Sequence, residues 1–174
     1  TLQILNSPDL KTWTPTSRIE GYHECPDLFE LPVKGLDGVR KWVITGANSD
    51  YQVGSFDGRV FVPETPILKG HLGRGFYAAQ TFSDIPERRI QIGWFQTETK
   101  GMPFNQAMSL PLELNLVKTE EGPRLTWTPV KELEALRKSS KVHTDIEIAP
   151  ASPDPFAGEA GELLEIEAEF NPSK

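Results

Sequence analysis

Tyr51-Gln52-Val53-Gly54-Ser55-Phe56-Asp57-Gly58-Arg59-Val60-Phe61-Val62 decides the fold class. Tyr51 to Phe56 alternates with period two, which puts successive side chains on opposite faces of a strand. Asp57-Gly58 is a hairpin turn signal, and Arg59 to Val62 is the returning strand. Working upstream, Trp42-Val43-Ile44-Thr45 is rich in β-formers, and Leu28-Phe29-Glu30-Leu31 is a strand-like run ended by Pro32. Downstream, residues 76–82 and 89–95 make a second strand pair around Ser83-Asp84-Ile85-Pro86-Glu87. Residues 112–117 and 124–127 make a third around Thr119-Glu120-Glu121-Gly122-Pro123. Fifteen prolines and fourteen glycines fit this spacing of turns. The chain is therefore all-β, a sandwich or a propeller rather than α/β.

Three stretches depart from the pattern. Residues 130–141 place Leu133 and Leu136 among Lys and Glu after Thr128-Pro129, which predicts a short helix. Residues 150–161, rich in Pro, Ala and Gly, read as a linker. The tail 162–170 alternates as a first strand of something further, and a lone strand is not stable by itself. The expected division is a β domain over 1–149, followed by a linker and first strand over 150–174.

The bulk numbers narrow the function classes. With 174 residues, the chain is long enough for one ordinary domain. Hydrophobic residues are 37% and charged residues 25%, so it reads as globular. A net charge of -7 argues against nucleic acid and against an anionic membrane surface as partners. No apolar run is long enough to span a bilayer. Cys25 is the single cysteine, which excludes an internal disulfide and a cysteine metal cluster. The opening Thr1-Leu2-Gln3-Ile4-Leu5 has no Met and no signal-peptide pattern. A start inside an apolar run implies that further residues precede it, so localisation stays open.

Glu24, in His23-Glu24-Cys25-Pro26-Asp27, is the candidate for general acid chemistry. A carboxylic acid takes that role when partly desolvated or near another carboxylate; the plain alternative is a surface glutamate beside a turn. Pro26 restricts Cys25 to an extended backbone, which would place His23 and Cys25 on one strand face and Glu24 on the other. No third metal ligand accompanies them, and Cys25 reads as a small packed side chain. Trp94 follows Gly93 in a strand, where glycine admits the close approach of another group. Its plain reading is a core tryptophan, and Trp13, Trp42 and Trp127 read as core or rim residues.

At these residues the sequence resembles glycoside hydrolase family 32, the family of invertases, inulinases and levanases. Glu24-Cys25-Pro26-Asp27-Leu28-Phe29 is similar to its Glu-Cys-Pro motif. Ser7-Pro8-Asp9-Leu10-Lys11-Thr12-Trp13, Tyr51 to Gly58, Phe76-Tyr77-Ala78-Ala79-Gln80-Thr81-Phe82, Arg88-Arg89-Ile90-Gln91-Ile92-Gly93-Trp94 and Met108-Ser109-Leu110-Pro111-Leu112-Glu113-Leu114 resemble five further segments in the family's order. One such motif is a weak signal; the ordered set is a strong one.

The resemblance implies part of a five-bladed β-propeller, about blades three to five, plus the start of a C-terminal β-sandwich. It implies a retaining hydrolase of β-fructosidic bonds in sucrose, inulin or levan. Glu24 would be the acid/base, Cys25 part of the sugar pocket wall, and Trp94 near the bound fructosyl ring. The substrate is then a fructan or sucrose, no cofactor or metal is called for, and secretion or a periplasmic location would follow the family. The family's nucleophile motif, Trp-Met-Asn-Asp-Pro-Asn-Gly, and its Arg-Asp-Pro motif are absent from the 174 residues. Activity would thus need the N-terminal blades or a partner chain. Gly75 stands where many members have Asp, so a polar contact near the cleft is lost. A non-catalytic carbohydrate-binding module and a fructosyltransferase parent are the alternatives.

Overall fold

The computed structural model describes residues 1–161 and 163–171. The alternating stretch folds into β5 (Tyr51–Phe56) and β6 (Phe61–Pro63), with Phe56 opposite Phe61. The turn is a four-residue loop, because Asp57 Oδ1 accepts from the N–H groups of Val60 at 2.7 Å and Arg59 at 2.8 Å. Those two amides hold the Asp57 carboxyl below the usual carboxylate range.

β4 (Arg40–Thr45) and β3 (Asp27–Lys34) extend the hairpin into an antiparallel meander, β3-β4-β5-β6. β7 (Phe76–Thr81) pairs with β8 (Ile90–Phe95), and β10 (Leu112–Thr119) with β11 (Gly122–Pro129), all antiparallel. β9 (Ala107–Met108) lies against the Trp94–Phe95 end of β8, and β10 against its Ile90–Gln91 end. β10 also runs parallel to β3 at Leu116↔Val33 and Val117↔Lys34, which joins the two groups into one nine-stranded sheet. β1 (Leu2–Asn6) and β2 (Thr14–Ile19) form a separate hairpin.

Both faces of the first meander are apolar. Phe29, Leu31, Val33, Val43 and Val53 point to a core shared with Leu114, Leu116 and Leu125. Leu28, Trp42 and Ile44, one step out of phase, pack with Ile19, Tyr22 and Phe61 on the other side. Leu116, Val43 and Val53 are wholly excluded from solvent, and each such side chain stabilises by about 1.5–3 kcal/mol.

The strand expected to end at Pro32 runs on to Lys34. Val33 N–H donates to Val39 O at 2.9 Å, so the alternating Pro32 nitrogen faces the other edge, where β10 pairing begins only at Val33. No ladder bond needs the missing N–H. The helix expected over 130–141 is a short 3-10 segment, Lys131–Leu136. The tail strand is not formed: the described residues 163–171 carry no strand, having no partner to pair with. The chain divides into compact units Thr1–Leu136 and Arg137–Lys174, so residues 137–149 fall with the tail rather than with the β domain. Within the second unit, exposed pairs join Arg137 to Glu165 and Lys141 to Glu159. No helix among the described residues is long and apolar enough to cross a membrane.

Candidate active site

Glu24 lies in the irregular segment between β2 and β3. Its carbonyl accepts from Ala47 N–H at 2.9 Å. Cys25 has φ of 46°, a left-handed backbone rather than the extended one that Pro26 favours. The strand alternation assumed for 23–25 therefore does not hold. His23 Nε2 lies 3.9 Å from Glu24 Oε2, so these two side chains share a side. With His23 largely in solvent, that contact contributes little.

The partner of Glu24 comes from β7. Ala78 there is also left-handed, with φ of 51°. Tyr77 is opposite Trp94 and Gln80 is opposite Ile92, so three steps on β7 match two on β8. This is a one-residue bulge. Trp94 and Ile92 share a face of β8, so the bulge brings Tyr77 and Gln80 to one face, which a regular strand would separate. Tyr77 Oη donates to Glu24 Oε1. Gln80 Nε2 donates to Cys25 O at 3.1 Å. Thr81 N–H donates to Asp27 Oδ2 at 2.7 Å, and Ala78 N–H donates to Ala47 O at 2.8 Å.

Trp94 is 41% exposed, so it is not the core residue of the plain reading. Its ring meets Tyr77 edge to face at 6.3 Å and 75°. The group admitted by Gly93 is the Phe76 ring: a β-carbon at 93 would lie 2.7 Å from Phe76 Cε2 and 3.1 Å from Ala79 Cβ. Glu24, Tyr77 and Trp94 thus form one continuous rim, Glu24 and Trp94 exposed, Tyr77 half-buried, with half-buried Cys25 beside it.

The pattern of the glycosyl hydrolases family 32 N-terminal domain matches residues 1–129. The chain belongs to glycosyl hydrolase family 32. The levanase of Bacillus subtilis (strain 168) is 41% identical over 98% of this chain and 29% of its own length. The fructan beta-fructosidase of Streptococcus mutans is 29% identical over 99% of this chain and 14% of its own. The crystal structure of the exo-inulinase from Aspergillus awamori superposes with a TM-score of 0.67 at 25% identity, covering 76% of this chain and 32% of that one. The chain spans under a third of the length of these relatives.

In this family 32 chain, Tyr77 has a raised pKa, first because its hydroxyl donates to the Glu24 carboxylate. Tyr51 is raised by burial, and Tyr22 by burial and then by the Asp50 charge. All three of the chain's tyrosines are thus held protonated past the usual tyrosine value of about 10. Raised folded values stabilise the fold fully below the unfolded pKa, and this contribution is lost as pH rises through them. Absorbance titration is expected to show phenolate appearing at higher pH in the native chain than in the unfolded one. Overlaying native and unfolded titration curves would contradict these tyrosine environments.

Tyr77, Gln80 and Asp27 are the site residues that sequence reasoning missed. The usable signal was the small pair Ala78-Ala79 between two polar side chains in a strand. Asp27 is spent on a backbone amide of β7. Gly75 has φ of 86°, and a β-carbon there would lie 2.8 Å from Gln96 O, so this backbone has no room for the family's common Asp. Among the described residues no three His, Cys, Asp or Glu side chains gather as a metal site.

Proposed function

We propose that this chain supplies the acid/base half of a retaining β-fructosidase acting on sucrose or fructans. The observation that carries the reading is the Glu24 carboxyl, half open to solvent and held by Tyr77 Oη beside an exposed Trp94, in a family 32 chain. Glu24 protonates the leaving oxygen while a carboxylate from elsewhere in the domain attacks the anomeric carbon and the glycosidic bond breaks. Glu24, now ionised, takes a proton from water as the water oxygen attacks that carbon and releases the nucleophile. The two carboxyl groups of such a pair stand about 5–5.5 Å apart. Cys25 forms pocket wall, and Trp94 flanks the fructosyl ring.

The chain corresponds to about blades three to five of a five-bladed propeller, with residues 150–174 leading into a β-sandwich. Leu2, Ile4, Leu5, Trp13, Leu28 and Ile44 line an open apolar groove of about 400 Å³. The remaining blades, or a partner chain supplying them, cover it. The purified 174-residue chain is expected to release no fructose from sucrose or levan, because it carries no nucleophile motif. Mixing with the missing blades is expected to restore release. Turnover by the chain alone would overturn the assignment of roles.

A further inference from the structure

Cys25 holds its left-handed backbone although Pro26 follows it. Its own β-carbon disfavours that conformation, and so does the proline ring. Backbones of this kind persist where neighbours over-determine them, and they gather at functional sites. Two consecutive carbonyls are pinned here. Ala47 N–H holds Glu24 O at 2.9 Å, and Gln80 Nε2 holds Cys25 O at 3.1 Å. The Gln80 amide has two hydrogens. Its other contacts are Ala79 O at 3.0 Å, on its own strand, and Pro26 O at 3.5 Å. The bulge that lets Gln80 reach this backbone is the one that lets Tyr77 reach the Glu24 carboxyl.

We propose that Gln80 is a positioning residue for Glu24. By holding the Cys25 carbonyl it fixes the backbone turn that aims the Glu24 side chain at Tyr77. One strand thereby sets both ends of the acid, its carboxyl through Tyr77 and its backbone through Gln80. The inference rests on Glu24 being the general acid/base.

The test uses the complete enzyme with two substrates, sucrose and an aryl β-fructofuranoside whose acidic phenol leaves without protonation. Gln80→Met removes the N–H donor at similar length. It is expected to lower kcat on sucrose by about 10–100-fold with KM nearly unchanged, since misplacement of a reacting group by ~1 Å can cost 10²-fold. The loss on the aryl substrate is expected to be several-fold smaller. Gln80→Lys, which keeps an N–H donor within reach, is expected to retain most of the sucrose activity. Gln80→Glu, of the same shape, serves if Gln80→Met does not fold. Equal losses on both substrates, or no loss, would overturn the proposal. Glu24→Gln is measured alongside: if that variant also shows no difference between substrates, the acid/base reading has failed rather than the role of Gln80.

Discussion

Glu24→Gln in the complete enzyme is expected to lower kcat on sucrose or levan by about 10²–10⁴-fold, the usual contribution of a positioned acid or base. The amide keeps an oxygen that accepts from Tyr77 Oη, so the side chain stays where the carboxyl was. What it loses is the proton for the leaving oxygen and then the base for water. Half exposure matters here, because the leaving group must depart and water must reach the ionised Glu24 between the two half-reactions. Initial rates of fructose release, with thermal unfolding as the control for folding, make the measurement. A variant that folds normally and turns over at the parent rate would remove Glu24 from the mechanism.

Gly93→Ala is expected to destabilise the fold through a single added methyl group beside the site. The added carbon would sit 2.7 Å from Phe76 Cε2, 2.9 Å from Phe76 Cζ and 3.1 Å from Ala79 Cβ. Gly93 is buried, and its N–H and C=O are both engaged by Ser109, so its backbone is not free to retreat. Phe76 and Ala79 must move instead. Overpacking of this kind costs about 1–3 kcal/mol, and a domain of this size loses roughly 2–4 °C of Tm per kcal/mol. Because Phe76 and Ala79 flank Tyr77 and the bulge, fructosidase activity should fall with it. Phe76→Leu in the same protein should restore part of the Tm, the two positions being in contact. An unchanged Tm for the single variant would show that Phe76 does not lean on this glycine.

The hairpins were legible in the sequence because alternation is a local property. Tyr51 to Phe56 alternates in its own order of side chains, and Trp42 to Thr45 is marked by its β-forming residues. The errors arose where a distant partner decides. Pro32 ends a strand only if its nitrogen faces a ladder, and which edge it faces is set by the register with β4. Cys25 departs from the backbone its proline favours because Ala47 and Gln80, far along the chain, hold the carbonyls around it. Glu24 as a candidate was legible through the family motif. Tyr77 and Gln80 were not, because their shared face follows from a one-residue mismatch with β8 that neither strand displays alone. The tail alternates as well as β5 does, yet it forms no strand in the described residues. Alternation states a preference, and a neighbouring edge has to satisfy it.

The position of β10 bears on the order of folding. Most pairings in this sheet join strands adjacent in sequence, and such hairpins close within microseconds. The β3–β10 pairing instead joins Val33 to Leu116, with every intervening strand in between. Closing a long loop carries an entropy penalty before any contact offsets it, so this parallel seam is expected to form late, after the meanders it unites. Until then Leu114 and Leu116, which end wholly enclosed, remain open to solvent. Two hairpin groups formed before that pairing would expose one sticky seam, and aggregation is expected to compete with folding there.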